Sequence, residues 1–232
     1  MPPVQPLRRW LARSDEALFA LVAQGDRTAF EVLYRRHHQA LYRYCLSILA
    51  DDDDALDALQ NAMVKVWNAL VREEAHAPPR AWLFRIAHNE AVGMLRLRRP
   101  YSALQEDQAP ATSSLDETVE TRLRLARLRT DLEALPERQR SALLLRELCG
   151  LPHVEIAYIL DVSPATARQT IYEARLALHE AEAGRKLSCD VVRRALSDGD
   201  GRRLRARKLR GHLRDCATCC RFSGPSGAAR TT

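Results

Sequence analysis

The segment 136–180 constrains this chain more than any other, because it has the pattern of two helices joined by a tight turn. Pro136 suits the first turn of a helix, where a missing N–H costs nothing, and Gly150 ends that helix. Asp161 tolerates the left-handed conformation that a tight turn needs. Ser163 can then cap the next helix. The segment therefore predicts a helix-turn-helix.

The second helix of this motif has one apolar and one polar face. Ala167, Ile171 and Ala174 recur at helical spacing and predict the buried face. The polar side chains suit hydrogen bonds to base edges and phosphates in a DNA major groove. They are Thr166, Arg168, Gln169, Thr170, Tyr172 and Arg175. The alternative is a helical hairpin with a solvated polar face, but the small Ala157 and the tight turn favour DNA binding.

The helices that precede this polar helix carry their own apolar positions. Those predicted to be buried are Leu143, Leu144, Leu148, Val154, Ile156, Ile159 and Leu160. Across the whole chain, Leu, Ala, Arg and Glu dominate and strand signals are nearly absent, which predicts an all-α fold.

Charge and hydropathy restrict the cellular setting and the partners. The net charge of +6 and the pI near 9.2 indicate an anionic partner. No apolar run reaches the length needed to span a bilayer, and the N-terminus lacks a signal-peptide core. We therefore expect a cytoplasmic protein that does not insert into a membrane.

Composition shifts divide the 232 residues into five segments. They are a disordered basic N-terminus (1–13), a first helical domain (14–99), a flexible linker (100–120), a second helical domain with the helix-turn-helix (121–182), and a short helical tail (183–232). The tail is Arg-rich and holds four of the six cysteines.

The third predicted helix, from about Asp53 to Leu70, begins with a run of acids at 51–54 that the helix dipole favours. Its apolar side is predicted to hold Leu56, Leu59, Met63, Val66 and Trp67. Capping explains the acids, but it does not explain the polar face that continues through Gln60, Asn61, Lys65 and Asn68. That face suits the binding of another protein.

The fourth predicted helix, 80–99, has five arginines against the single acid Glu90. Its predicted outward side chains are Arg85, His88, Asn89, Arg96, Arg98 and Arg99. A basic helix with amide and imidazole groups suits contact with nucleic-acid backbone and bases. A solvated amphipathic helix is the alternative on this segment alone.

Together these motifs resemble the extracytoplasmic-function (ECF) group of bacterial RNA polymerase sigma factors. The order Asp54, Ala55, Asp57, Gln60, Lys65 and Trp67 is similar to that group's helix for docking on the clamp helices of the polymerase β′ subunit. AWLFRIAHNEAVGMLR resembles its helix for the promoter −10 element, and the helix-turn-helix resembles its −35-binding domain. The resemblance covers residues 14–182.

The resemblance implies two helical domains, sigma domain 2 and sigma domain 4, and a protein that is not an enzyme. Its implied partners are core polymerase, through the β′ clamp helices and the β flap, and promoter DNA. The implied polymerase-binding residues are Asp54, Asp57, Gln60, Asn61 and Lys65. The implied DNA-binding residues for the −10 element are Arg85, His88, Asn89 and Arg96. Those for the −35 element are the six polar residues of the helix-turn-helix. Leu56, Asn61, Met63, Gly93 and Asp161 depart from the group's common residues.

The tail contains the spacing C-x22-H-x3-C-x2-C, formed by Cys189, His212, Cys216 and Cys219. H-x3-C places two ligands one helical turn apart, and C-x2-C is common around tetrahedral Zn²⁺. The pattern resembles the zinc-binding helical motif of anti-sigma factors. A structural zinc site, a redox switch and a disordered basic tail with incidental cysteines are all left open by the sequence.

Two other functional classes compete with the sigma-factor interpretation. A stand-alone helix-turn-helix regulator would bind duplex DNA without polymerase, but it leaves the 54–67 and 80–99 helices without a use. An enzyme would need a phosphate loop, an activated nucleophile or paired carboxylates, and the sequence has no such pattern. Whether a separate anti-sigma factor binds the chain is open.

Overall fold

The computed structural model describes residues 12–72, 78–98, 119–199 and 206–223. Every regular element within those ranges is a helix, which confirms the all-α prediction. They are α1 (Asp15–Ala23), α2 (Arg27–Leu49), α3 (Asp52–Val71), α4 (Pro79–Arg98), α5 (Val119–Glu133), α6 (Glu137–Glu147), α7 (His153–Leu160), α8 (Pro164–Arg185), α9 (Cys189–Ser197), α10 (Arg207–Asp215) and α11 (Ala217–Phe222). The predicted N-terminal tail up to residue 11 and the predicted linker up to residue 118 lie outside the described residues.

The first three helices begin at side-chain caps. Ser14 Oγ accepts from the Ala17 N–H at 3.3 Å, and Asp26 Oδ1 accepts from the Thr28 N–H at 2.8 Å. Asp51 Oδ1 accepts from the Asp54 N–H at 3.0 Å. Such caps satisfy donors that the first turn of a helix leaves without partners. The acidic run before α3 therefore fixes the start of that helix.

The described residues form two compact units. The first unit contains the residues up to Arg98 and residues 144–168; the second contains 119–143 and everything described from Gln169 onward. Helices α6 and α8 each pass from one unit to the other along their length. The domain boundaries read from the sequence remain a prediction.

The first unit packs α1 to α4 around an aromatic and aliphatic core. Leu18, Leu33, Tyr44 and Phe84 are fully buried, and the Tyr44 and Phe84 rings meet edge-to-face at 6.0 Å. Each side chain of this size stabilises the fold by roughly 1.5–3 kcal/mol when buried. Helix α7 packs against α4 in the same unit.

The second unit joins α5 and the C-terminal part of α8 to the tail helices. Val192, Leu209, Leu213 and Cys219 form its small apolar cluster. Two glycines let α10 approach α8 closely. A Cβ on Gly211 would lie 2.6 Å from the Ala181 carbonyl oxygen, and one on Gly184 would overlap the Lys208 carbonyl. We call this contact the glycine crossing.

Three predicted core residues are exposed. Leu148 is 48% exposed because α6 ends at Glu147, so helical spacing no longer applies to it. Val154 is 68% exposed, since on α7 it lies opposite Ile156. Leu56, at the edge of the buried stripe of α3, is 45% exposed. None of the described helices is long and apolar enough to cross a membrane.

Candidate functional site

Helix α3 presents a continuous exposed face away from the core. Asp57, Gln60, Asn61 and Lys65 are all exposed, as the sequence predicts. Val64 lies within this face and is 60% exposed, and the exposed Leu56 lies at its edge. An apolar patch rimmed by polar groups is typical of a surface that binds another protein. We call residues 56–65 of this surface the α3 face.

Two of the predicted polymerase-binding residues of α3 already have partners on α4. Asp54 is half-buried and forms an ion pair with Arg98. The Lys65 ammonium group forms an ion pair with Glu90. The Lys65 side chain is 61% exposed and that of Glu90 is 15% exposed, so the ammonium group remains accessible to an incoming protein. Asp54, by contrast, helps to hold α3 against α4.

The four predicted −10 residues of α4 differ in exposure: two are exposed and two are half-buried. Asn89 and Arg96 are exposed, as predicted. The Tyr44 hydroxyl and His88 Nδ1 are hydrogen-bonded at 2.8 Å, and His88 is half-buried. Arg85 is also half-buried and lies against Tyr158 of α7.

The Arg85 guanidinium makes two contacts with Tyr158. Its Nη1 donates to the backbone carbonyl of Tyr158 at 3.3 Å, and its Cζ lies 4.8 Å from the centre of the tyrosine ring. This is cation–π distance. The expectation that Arg85 and His88 reach outward is therefore wrong, because each has a partner within the first unit.

The turn between α7 and α8 has the predicted chemistry. Asp161 adopts the left-handed conformation with φ of 54°. Ser163 Oγ accepts from the Thr166 N–H at 3.1 Å, and Pro164 is the first residue of α8. The same hydroxyl lies 2.8 Å from Thr166 Oγ1. Both the turn and the cap predicted here are confirmed.

Helix α8 exposes most, but not all, of the predicted −35 residues. Thr166, Arg168, Gln169, Tyr172 and Arg175 are exposed. Thr170 is only 8% exposed, which corrects the expectation that it is free. At 100° per residue it lies about 200° around the helix from Arg168 and falls on the buried side.

The four predicted metal-ligating residues come together in the second unit. Cys189, His212, Cys216 and Cys219 place one ligand atom each within 4.8 Å of one another. Cys189 Sγ lies 3.8 Å from Cys216 Sγ and 3.9 Å from His212 Nε2. In a tetrahedral zinc site with bonds of about 2.3 Å, two sulfur atoms are separated by about 3.8 Å. The donor types and their spacing fit Zn²⁺.

The thiols of this cluster differ in acidity. A hydrogen bond from the backbone of Cys219, together with those from the Cys189, Cys219 and His212 side chains, lowers the pKa of Cys216 to about 6. Burial raises the pKa of Cys219 to about 11. The thiolate is the form of cysteine that ligates a metal. Cys216 is therefore already a thiolate at neutral pH, whereas Cys219 must release a proton when the metal binds.

The two sigma-type segments of the chain match known families. Residues 33–100 match the family described as Sigma-70 region 2, and residues 125–178 match Sigma-70, region 4. Both matches end before Cys189, so the cysteine cluster lies outside them.

Curated relatives match most of the chain. The ECF RNA polymerase sigma-E factor of Escherichia coli K12 is 34% identical over 182 residues, covering 71% of this chain and 92% of that protein. The ECF RNA polymerase sigma factor SigM of Mycobacterium tuberculosis H37Rv is 33% identical over 167 residues, covering 72% of this chain and 83% of its own.

Solved structures show the same fold. The structure of CnrH in complex with the cytosolic domain of CnrY has a TM-score of 0.55 and 30% identity, covering 70% of this chain and 92% of that one. The sigma factor RpoE in complex with the anti-sigma factor NepR from Bartonella quintana has a TM-score of 0.52 at 22% identity, covering 63% of this chain and 91% of that one.

Sequence reasoning missed three features of these surfaces. Val64 could have been found, because it shares helical spacing with Asp57, Gln60 and Asn61. The contact between Arg85 and Tyr158 joins residues far apart in the chain, and no local pattern indicates it. The same holds for the glycine crossing.

Proposed function

The chain belongs to the ECF group of RNA polymerase sigma factors, and on that premise we propose which of its surfaces carry each step of promoter recognition. A sigma factor binds core RNA polymerase and directs it to promoters. We assign polymerase docking to the α3 face, −10 recognition to α4 and −35 recognition to α8. All three steps are binding steps, so the proposed role is non-catalytic, and we propose a cytoplasmic location for it.

The exposed α3 face supports the docking assignment most directly. Asp57, Gln60 and Asn61 are exposed around the apolar Val64, and none of the three side chains is used by the core. Lys65, at one end of this surface, and Asp54, just before its other end, complete the assigned set. The β′ clamp helices are the proposed partner, and the second sigma domain is proposed to meet the β flap.

The promoter assignment uses exposed polar groups on two helices. On α4, Asn89 and Arg96 are exposed. Arg85 would join them once α7 separates from α4, and His88 once its hydrogen bond with Tyr44 of α2 opens. Unstacked bases are held by stacking and edge hydrogen bonds, with cations along the backbone. On α8 the proposed readers are Thr166, Arg168, Gln169, Tyr172 and Arg175; Thr170 supports the helix from its buried side.

Transcription in vitro with core polymerase and a cognate promoter tests the docking assignment. We expect Asp57→Lys to reduce transcript yield at least about tenfold, because it reverses a charge at the centre of a protein interface. Glu16→Lys makes the same charge change on the exposed side of α1 and should transcribe like the wild type. Equal yields from the two variants would contradict the assignment.

Arg168→Ala tests the −35 assignment in the same assay. Loss of a bidentate base contact costs about 1–3 kcal/mol, or roughly five- to 150-fold in binding. Arg122→Ala removes an exposed arginine from α5 and is the matched control. The wild type and Arg122→Ala should transcribe less from a promoter with an altered −35 element than from the cognate promoter. Arg168→Ala should transcribe equally from both. Unchanged promoter preference would remove Arg168 from the readout.

We also propose that Cys189, His212, Cys216 and Cys219 bind one Zn²⁺. With four protein ligands the site is closed, and the bound ion would cross-link α9, α10 and the start of α11. Metal analysis of the purified chain should give one zinc per molecule, and Cys216→Ser should lose it. Cys220→Ser removes the neighbouring exposed thiol, which lies outside the cluster, and should keep it. Zinc retained by Cys216→Ser would exclude the proposed site.

An oxidant distinguishes two roles for that zinc. Release of the metal on treatment with hydrogen peroxide, and its return after reduction, would make the tail a redox sensor. Retention of the metal would leave the tail a structural element.

A separate protein partner is also proposed. In the solved structures CnrH is bound to the cytosolic domain of CnrY, and RpoE is bound to the anti-sigma factor NepR. We propose that an anti-sigma factor binds the present chain in competition with polymerase.

A further inference from the structure

A cavity of about 230 Å³ lies in the second unit, between α10 and the helices α5, α6 and α8. Three arginines of α10 line it: Arg207, Arg210 and Arg214. Their spacing of three and four residues places them on one face of the helix. The opposite wall contains Asp131, Gln139 and small apolar side chains such as Ala181. Neither polymerase docking nor promoter binding uses this cavity.

The arginines of the cavity are only partly neutralised. Arg207 lies 3.6 Å from Glu180, and Arg214 lies 3.8 Å from Asp131. Asp131 is buried and is held more closely by Arg185, at 2.8 Å. Among the described residues the guanidinium group of Arg210 has no hydrogen bond or ion pair. The groups around the cavity therefore carry more positive than negative charge.

One guanidinium nitrogen at the cavity lacks an acceptor. Arg214 Nη1 is buried and has no hydrogen-bond partner, since Asp131 Oδ1 at 3.8 Å is beyond hydrogen-bond distance. Leaving a buried donor of a charged group without an acceptor costs about 1–3 kcal/mol or more. A bound anion or an ordered water normally explains such a group.

From these three observations we infer that the cavity is a binding site for a phosphoryl group. Arginine forks match the oxygens of phosphate, and a group with two negative charges offsets the excess charge better than one carboxylate does. Arg210 and Arg214 would donate to the phosphoryl oxygens, and Arg207 would complete the site from the first turn of α10. The ligand would bridge the tail helix and the beginning of the second sigma domain.

Calorimetric titration of the full zinc-supplied chain with pyrophosphate, in a phosphate-free buffer, tests the inference. We expect one site per chain, and Arg210→Gln should weaken binding about tenfold, as the loss of one charge-assisted hydrogen bond implies. Arg193→Gln removes an exposed arginine of α9 outside the cavity and should bind like the wild type. Zinc content and helicity confirm that both variants are folded. Arg210→Lys, which keeps the charge, should bind with intermediate affinity and provides a second variant.

Two results would overturn the site. One is the absence of saturable binding by the wild type. The other is an equal loss in Arg210→Gln and Arg193→Gln, which would mean diffuse attraction to a basic protein. Titrations with orthophosphate and ADP then identify the source of the phosphoryl group. If ADP binds more tightly than pyrophosphate and Arg210→Gln weakens both, the site takes a nucleotide; if pyrophosphate binds more tightly, it takes a free inorganic phosphate.

Discussion

Two glycines in long helices have opposite roles at the residue scale. Gly93 in α4 has open space where a Cβ would be, so Gly93→Ala should raise the free energy of unfolding by up to about 1 kcal/mol. Gly184 in α8 has the Lys208 carbonyl there, so Gly184→Ala should destabilise the second unit by about 1–3 kcal/mol. Urea unfolding followed by circular dichroism compares them. A stabilising Gly184→Ala would contradict the glycine crossing.

His37 of α2 makes the stability of the first unit dependent on pH. Burial lowers its pKa from the usual 6.5, and the Asp15 carboxylate at 2.9 Å opposes this only in part; Arg36 and Arg80 lower it further. The unfolded chain therefore takes up a proton at a higher pH than the native protein does. The free energy of unfolding should fall as the pH drops below about 6.5 and level off below the native pKa of His37.

Urea titrations at several pH values between 7.5 and 5 measure the contribution of His37. His37→Gln should give a flatter dependence of unfolding free energy on pH than the wild type. His38→Gln, which changes the less buried neighbour, should keep the wild-type slope. Parallel curves for all three proteins would exclude His37 as the group responsible.

At the element scale, serine caps at two helix starts can be compared. Ser163 caps α8 through the Thr166 N–H, whereas Ser188 stands at the same position of α9 without a side-chain cap hydrogen bond. Ser163→Ala should therefore cost about 1 kcal/mol of stability, and Ser188→Ala much less. Thermal unfolding of the two variants measures this. Equal losses would show that the Ser163 hydrogen bond does not stabilise the turn.

Local patterns predict elements well and packing between elements poorly. The Asp161 turn, the Ser163 cap and the helical character of the chain all follow from short-range preferences that the sequence shows directly. Burial depends on which neighbour covers a helix. The contact of Arg85 with Tyr158, 73 residues away in the chain, could not be predicted for that reason. The burial of Thr170, by contrast, follows from helical periodicity, since Thr170 lies about 200° around α8 from Arg168. The cysteine cluster was predicted because metal-ligand spacing is itself a local pattern.

At the scale of the whole molecule, the distribution of charge predicts whether the free chain can bind duplex DNA without polymerase. Residues 136–182 contain five arginines and seven acids, so this region offers little attraction to a phosphate backbone. Arg85 is also held by Tyr158. We expect the free chain to give no mobility shift of a −35 duplex at physiological salt, and the complex with core polymerase to shift it. A tight shift by the free chain would support a stand-alone regulator instead.

The glycine crossing separates two properties of the tail that would otherwise change together. Every substitution in the cysteine cluster removes a ligand, and so alters the docking of α10 and the metal at once. Gly184 and Gly211 carry no ligand atom, yet they determine how closely α10 can approach α8. An allele such as Gly211→Val would keep all four ligands while detaching the tail helix. Comparing its regulon with that of Cys216→Ser in living cells would assign each transcriptional effect to the metal or to the docked tail.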